Sequence, residues 1–229
     1  MKFFKNSSLS LVFLAIFALS VVFQAVVGQR LFNEDEITHA ELLDETAHTV
    51  SFWDYVFSSH FGQALMENWQ SEYLQFFLFV LATTWLLQRG STESKELDKA
   101  GRESEPEQKL GGHAQQNSPK WAKVEGFRRW LYSNSLLLVM GFIFVCSWFA
   151  QSVTGWSQHN ADQIEHSDVS ISWLEYIGSS SFWFDTLQNW QSEFLAVGSM
   201  AVLSIYLRQR GSPESKPVGA PHTATGVEG

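Results

Sequence analysis

An internal repeat is the sequence feature that most constrains this chain. At an offset of 127 residues, the stretch from Ser20 to His39 aligns without a gap on the stretch from Ser147 to His166. The following loop is six residues shorter in the second copy, so the offset becomes 121, and an Asn-Trp-Gln-Ser-Glu box recurs at 68–72 and 189–193. A period of this length is too long for a solenoid. The sequence therefore predicts a duplicated pair of helices.

Each copy opens with a long apolar run. No Asp, Glu, Lys or Arg occurs from Asn6 to Gln29 or from Trp130 to Ala161. As a helix, the 21 residues of 8–28 would span about 31 Å, which is one hydrocarbon thickness. A cleaved secretory signal is the alternative for this first run, but its copy at 135–155 lies in mid-chain, which favours a retained membrane helix.

The second apolar run of each copy is shorter. The uncharged stretches 73–88 and 194–207 would span about 24 and about 21 Å as helices, so each either crosses the bilayer with an N-terminal extension or forms a re-entrant segment. Of the 15 lysines and arginines, 14 lie in the N-terminus, in the connector 89–129 or in the tail from Arg208. If the short runs cross, all these clusters fall on the cytoplasmic side, as the positive-inside rule requires.

We therefore predict an all-α membrane protein with four transmembrane helices, arranged as two parallel two-helix repeats with both termini inside. Its expected location is the inner (plasma) membrane, as a multi-pass protein, and its expected partner is the lipid bilayer. The predicted parts are a first hairpin at 1–89 (helices about 8–28 and 68–88), a disordered cytoplasmic linker at 90–118, an amphipathic juxtamembrane segment at 119–131, a second hairpin at 132–210 (helices about 135–155 and 189–207) and a disordered tail at 211–229.

The juxtamembrane segment alternates apolar and basic residues near helical spacing. We expect it to lie as a helix on anionic lipid, through Trp121, Lys120, Lys123, Arg128 and Arg129. The chain as a whole is acidic, with a formal net charge of -9. That balance argues against a nucleic-acid partner, which needs a basic face.

Small and hydrogen-bonding residues form one stripe on the first helix of each copy. Ser20, Gln24 and Gly28 are four residues apart, and Ser147, Gln151 and Gly155 repeat the pattern. Such residues normally face neighbouring helices, so we interpret Ser20, Gly28, Ser147 and Gly155 as packing positions. A polar cavity in the outer half of the membrane is the alternative. Beyond the stripe, Asn33-x-x-Glu36 resembles a capping box that would start a new helix.

The repeated box supplies the candidate polar or ion site. Its residues are Glu72, Asn68 and Ser71 in the first copy and Glu193, Asn189 and Ser192 in the second, with Gln24 and Gln151 as expected neighbours. A carboxylate near hydrocarbon is costly and is a functional hypothesis by default. The alternative is that Glu72 and Glu193 only mark the water boundary, at the positive end of the helix dipole.

The sequence offers no catalytic residues, no metal site and no cofactor. His39 and His166 occupy equivalent positions, but neither lies in a recognised metal-binding spacing. Cys146 is the single cysteine, and no P-loop, dinucleotide fingerprint or nucleophile elbow occurs. We therefore expect a protein that is not an enzyme.

The six residues 189–194, together with the Gln-x-x-x-Gly ending of the preceding helix, resemble an uncharacterised bacterial membrane family, a domain of unknown function. Tyr73 replaces the final Phe in the first box. Members of that family carry the two-helix hairpin twice, so the resemblance implies location and architecture for both hairpins and lends no activity.

Two functions remain open from the sequence. The first is a structural, interaction or binding protein of the cell envelope, and it includes a homo-oligomer. The second is a small proton- or cation-translocating transporter or channel in which Glu72 and Glu193 form a pair. Four helices leave little room for a pathway unless the protein oligomerises.

Overall fold

A computed structural model describes residues 4, 6–44, 46–165 and 169–227. Within these ranges the chain is all-helical, without strands, as predicted. The helices are α1 (Ser8–Leu43), α2 (Phe52–Val56), α3 (Ser59–Trp85), α4 (Phe127–Ser133), α5 (Ser135–Glu165), α6 (Trp173–Ile177) and α7 (Ser180–Tyr206), with 3-10 turns at Gly111–His113 and Lys120–Ala122.

The long helices differ in length from the prediction. Helices α1 and α5 continue past the apolar runs that end near residues 28 and 155, and α3 and α7 begin about nine residues before their Asn-Trp-Gln-Ser-Glu boxes. Asn33 therefore lies inside α1 and does not start a new helix. The reason is that its side chain is hydrogen-bonded to the main chain of Val50, and not to the next turn of the helix.

Two of the described helices are long and apolar enough to cross a membrane, not the four predicted. They are α1, over Ser8–Leu42, and α5, over Ser135–Ile164. Helices α3 and α7 have sufficient length at 27 residues each, but the N-terminal half of each contains the polar box and its acidic residues. These polar residues dilute the apolar character that the C-terminal halves keep.

The chain divides into two compact units. The first unit comprises Met1–Leu65 and Ala150–Tyr176. Its core is formed by Ala25, Tyr55 and Phe61, and the start of α3 meets the end of α5 there: Ser59 donates a hydrogen bond to Gln158 at 3.3 Å.

The second unit comprises Met66–Phe149 and Ile177–Gly229. Within it, Gly141 of α5 lies against the ring of Phe77 on α3, where a Cβ would come within 3.0 Å of the ring. Trp148 of α5 stacks on Phe182 and contacts Trp190, both on α7, at centroid distances of 6.1 and 6.2 Å. Aromatic packing thus joins α5 to α7 in this unit.

Candidate functional site

A buried tyrosine meets each glycine of the predicted packing stripe, and we call these contacts the tyrosine wedges. Tyr55 of α2 and Tyr176 of α6 are 3% and 2% exposed. A Cβ on Gly28 would collide with the hydroxyl oxygen of Tyr55, and one on Gly155 would collide with that of Tyr176. Because glycine has no Cβ, Tyr55 of α2 can approach α1 at Gly28, and Tyr176 of α6 can approach α5 at Gly155.

The serines and glutamines of the stripe do not share one environment. Ser20 and Gln24 are exposed on α1, whereas Ser147 and Gln151 are buried on α5. Ser147 donates to the carbonyl of Ile143 at 2.7 Å, within its own helix. The two copies of the stripe are thus equivalent in sequence and different in burial.

An asparagine clamp holds the segment before each wedge. In the first copy the Asn33 side chain donates to the Val50 carbonyl at 3.0 Å and accepts from the Val50 amide at 2.8 Å. In the second, Asn160 makes the same two bonds with Ile171, at 3.0 and 2.9 Å. Sequence reasoning missed this clamp, although the identity of the two asparagines at the repeat offset was its signal.

In each copy a second side chain also donates to the same carbonyl, and this side chain differs between the copies. Gln29 donates to the Val50 carbonyl at 2.9 Å, and Trp156, at the equivalent position, donates to the Ile171 carbonyl at 2.7 Å. Next to the first wedge, burial raises the pKa of the Tyr55 hydroxyl, which lies 3.3 Å from Nδ1 of His60.

The two boxes contact each other through residues other than their carboxylates. In the second unit, the Trp190 indole donates to the Gln70 side-chain oxygen at 2.8 Å, and Gln75 donates to the main-chain carbonyl of Glu193 at 3.0 Å. Gln70 is fully buried. Helices α3 and α7 are therefore joined by one hydrogen bond between the boxes and by another from Gln75, which follows the first box, to the second box.

The predicted ion-site residues are not gathered into a buried cluster. Glu72, Asn68 and Ser192 are exposed, and Glu193 and Asn189 are half-buried. Ser71 is buried, and its hydroxyl donates to the carbonyl of Asn68 at 2.9 Å.

The remaining polar contacts of the second box are local to α7. Ser192 donates to the carbonyl of Asn189 at 2.8 Å, and Asn189 donates to that of Asp185 at 2.9 Å. Gln24 and Gln151 belong to the first unit.

The predicted lipid-facing segment at 119–131 is not one helix. A 3-10 turn covers Lys120–Ala122, and α4 begins only at Phe127, after Gly126 with φ 73. This left-handed residue interrupts the helix, which is the reason for the difference. Trp121, Lys120, Lys123 and Arg128 are exposed, whereas Arg129 pairs with Glu105 at 2.9 Å.

Two equivalent loops follow α3 and α7, at 88–95 and 209–216, and we call them the ESK loops after their shared Glu-Ser-Lys ending. In each, the first residue's amide donates to the serine of that ending, Ser94 at 2.8 Å and Ser215 at 2.9 Å. Each turns at a glycine in the left-handed region, Gly90 (φ 85) and Gly211 (φ 86).

Lys216, at the end of the second ESK loop, is 1% exposed. Its ammonium donates to the carbonyl oxygens of Gly90, His222 and Ala224 at 2.6, 3.0 and 3.2 Å. This buried charge is thus compensated by carbonyl groups from residues before and after it in the chain. The linker likewise carries an ion pair, between Lys95 and Glu103 at 2.5 Å.

Among the described residues, no group of three or more His, Cys, Asp and Glu side chains is placed to hold a metal ion. His166 lies outside the described residues.

The comparisons with known proteins add a family and nothing more specific. No curated protein and no solved structure matches the chain. A family model does match, over residues 1–227, and its description is a domain of unknown function. Because this match covers almost the entire sequence, the chain belongs to the family of the domain of unknown function DUF6766.

Proposed function

We propose that this chain is an integral membrane protein that serves a structural, interaction or binding role in the cell envelope. The observation that carries the proposal is the mid-chain helix α5. It is long and apolar enough to cross a membrane, yet only 17% of its apolar window is buried in protein. A core helix of a soluble protein would be mostly buried, so lipid is the environment that matches this surface.

Helix α1 supports the same proposal. Its apolar window is 6% buried, and large side chains such as Leu9, Phe13 and Phe23 are more than 60% exposed. Leaving so much apolar surface in water would cost about 25 cal/mol per Å². Together α1 and α5 give the proposed bilayer two long anchors.

We further propose that α3 and α7 cross as well, which gives four spans in two parallel repeats with both termini on the cytoplasmic side of the inner membrane. The support is the distribution of basic residues, with Arg89 and Arg208 directly after the two helices. Equivalent clamps, wedges and ESK loops in the two copies support the duplication. The basic residues of 119–131 that remain exposed, Lys120, Lys123 and Arg128, are proposed to meet anionic lipid.

A scaffold or binding role fits the boxes better than a translocation pathway. The Gln70 and Gln75 side chains, which would line a polar path, are used to join α3 to α7. Hydrogen bonds of this kind stabilise helix pairs in lipid. We also propose that copies of the chain associate through the apolar surface that remains exposed.

Site-directed cysteine labelling tests the proposal. In a Cys146→Ser background, single cysteines at Ser170 and at Ser212 are treated with a membrane-impermeant maleimide. We expect Ser170→Cys to react in intact cells and Ser212→Cys to react only after permeabilisation. Recovery of the chain from the aqueous fraction without detergent, or labelling of the second position in intact cells, would contradict the proposal.

The equivalent positions of Glu72 and Glu193 in the two boxes favour one second candidate, proton or cation translocation. Flux into vesicles that contain the wild-type chain is compared with flux for the Glu72→Gln, Glu193→Gln double variant. The scaffold proposal expects no flux above protein-free vesicles in either sample. A flux that the double variant abolishes, with insertion unchanged, would establish the second candidate instead.

A further inference from the structure

Two polar side-chain atoms of the second unit are buried and have no hydrogen-bond partner among the described residues. They are the indole nitrogen Nε1 of Trp148, on α5, and the hydroxyl oxygen Oγ1 of Thr186, on α7. Thr186 is 0% exposed. An unpaired buried donor or acceptor costs free energy, and buried polar groups are normally paired with protein, water or a ligand. These two atoms therefore mark a candidate binding site.

Both atoms belong to the packed face between α5 and α7. The Trp148 ring contacts three aromatic rings of α7 at centroid distances of 6.1, 6.0 and 6.2 Å, those of Phe182, Trp183 and Trp190. Thr186 stands three or four residues from each of these three. Side chains at this spacing share one face of a helix, so Thr186 lies at the centre of the face that Trp148 covers.

The first copy has apolar side chains at both positions. The equivalents of the tryptophan and the threonine are Val21 and Leu65, at the repeat offsets of 127 and 121. Both pack against the core of the first unit, which includes Phe61. Phe61 is in turn equivalent to Phe182, the ring on which the tryptophan stacks. At matching positions around a shared phenylalanine, the second copy thus has two side chains that can hydrogen-bond.

The two atoms define the chemistry of a group that pairs with both. An indole N–H only donates, so the group must accept, whereas a threonine hydroxyl can donate or accept. A neutral hydroxyl oxygen meets both conditions. A charged group fits less well, because burying a charge without a counter-charge costs far more than burying a neutral group. Both atoms are enclosed by packed side chains, so the group is also small.

We propose that the second copy binds one hydroxyl group between α5 and α7, which accepts a hydrogen bond from Trp148 Nε1 and pairs with Thr186 Oγ1. The hydroxyl belongs either to an internal water molecule or to the alcohol headgroup of an amphiphile. Waters in protein interiors bridge polar groups that would otherwise be unpaired. The site does not depend on the proposed membrane function, because both atoms lie in the packing of the protein itself.

Nuclear Overhauser effects (NOEs) to the Trp148 indole proton test the proposal. The full chain, labelled with ¹⁵N, is studied in deuterated dodecylphosphocholine, a detergent without a hydroxyl group. Trp148→Phe identifies the signal among those of the ten tryptophans. We expect an NOE from a bound water. If added n-decanol replaces it with an NOE from the methylene group beside the alcohol, the site takes an amphiphile. If the water NOE persists, the site holds water. An indole proton without either NOE overturns the proposal.

The Trp190 indole is the matched reference in the same spectrum. It donates to the Gln70 side-chain oxygen at 2.8 Å, so its bond is already made within the protein. We expect no NOE from a bound water or from decanol at this proton. Equal NOEs at Trp148 and Trp190 would show general access of solvent and would overturn the site.

Two threonine variants locate the second partner. Thr186→Val keeps the shape of the side chain and removes its hydroxyl, so the NOE at Trp148 should be lost. Thr83→Val is the control, since the Thr83 hydroxyl bonds the Phe79 carbonyl at 2.9 Å within its own helix. The NOE should persist in this variant. An unchanged NOE in Thr186→Val contradicts the proposal.

A double-variant cycle gives an independent readout. Denaturant titration should show that Thr186→Val changes the unfolding equilibrium constant at least about threefold less in a Trp148→Phe background than in the wild type. Additive effects would mean that the two side chains share no bound group. If Trp148→Phe fails to fold, as judged by circular dichroism, the contrast between Thr186→Val and Thr83→Val still decides. A chain with the wrong topology in the labelling experiment refutes the proposed function and leaves this site standing.

Discussion

In the clamps and wedges of the first unit, equivalent residues make the same contacts. In the ESK loops of the second unit, equivalent residues make different contacts. Asn33 and Asn160 make the same two backbone bonds within 0.1 Å of each other. The two lysines of the ESK loops, in contrast, have different partners: Lys95 bonds the Gly101 carbonyl and Glu103, and Lys216 bonds carbonyl oxygens of Gly90 and the tail.

The difference depends on where the partners come from. The partners of a clamp lie inside its own copy of the repeat, so duplicating the sequence duplicates the contact. The lysines reach into the linker and the tail, which are not repeats of each other. Identical loop residues therefore bury one lysine and leave the other half-exposed.

The largest effect on stability should come from a substitution that fills the space that a wedge tyrosine occupies beside its glycine. Gly155→Val places side-chain atoms where the Tyr176 hydroxyl lies, so we expect a loss of about 2–3 kcal/mol in the free energy of unfolding. Gly28→Val should behave alike if the wedges are equivalent. The measurement is denaturant titration in detergent micelles, followed by circular dichroism.

Gly198→Ala is the matched control, since nothing lies within 4 Å of a Cβ there. It should be neutral or stabilising by up to about 1 kcal/mol, because alanine favours helix more than glycine does. A destabilisation as large as that of Gly155→Val would mean that the wedge contact does not explain the effect.

Removing a clamp should cost less. Asn160→Ala removes two hydrogen bonds to Ile171, one to its amide and one to its carbonyl. We expect the free energy of unfolding to fall by about 1–3 kcal/mol, and we expect the same for Asn33→Ala. Hydrogen exchange at the Ile171 and Val50 amides reports the change directly. Thr38→Ala, which loses only an exposed bond within its own helix, is the control. Unchanged exchange at both amides would contradict the clamp.

Substitution of the lysine should have a larger effect in the second ESK loop than in the first. Lys216→Met removes the donor that four carbonyls share and should release the tail, whereas Lys95→Met loses a half-exposed pair worth less than about 1 kcal/mol. Protease cleavage within 217–227 measures the release. Equal cleavage in both variants would remove the asymmetry that separates this unit from the first.

Docking of the tail should also depend on pH. Burial, followed by the charge of Arg208, lowers the pKa of Lys216 below its usual 10.5. At pH values between the lowered pKa of Lys216 in the docked tail and its usual pKa in the released tail, the released tail binds more protons than the docked tail. Docking therefore strengthens as pH rises through this window and does not change further above it. Cleavage rates of the tail between pH 8 and about 10.5 should therefore fall as pH rises, and Lys216→Met should abolish the trend.

The smallest effect is expected at the start of α6. Hydrogen bonds from the Ser172 hydroxyl and amide lower the pKa of Glu175, so their contribution is present above about pH 4.3 and is lost as pH falls through the lowered value. Trp173, which bonds Ser152 at 3.2 Å, gives a fluorescence readout. Glu175→Gln should remove the acid-dependent part of that signal.

Much of the fold was predictable because its causes are local. Apolar runs without charge predicted the long helices α1 and α5. The helix ends were predicted poorly, because α1 and α5 continue through polar residues such as Asn33 and Asn160. Those residues are stabilised by backbone groups 17 and 11 positions away, which local propensity does not include.

The contacts that join α3 to α7 were not predictable from the sequence. Reasoning from charge selected Glu72 and Glu193, whereas the hydrogen bonds between the two helices involve Gln70, Gln75 and Trp190. These bonds depend on how α3 packs on α7, which local sequence patterns do not determine.

The sequence by itself determined an all-helical chain with two long apolar helices, because periodicity and charge act through neighbouring residues. Only the tertiary structure decided which residues at equivalent sequence positions also have the same burial and contacts. Ser20 is exposed and Ser147 buried, and Lys216 is enclosed while Lys95 is not. Burial is set by what packs against a residue, and the segments that pack against these residues differ.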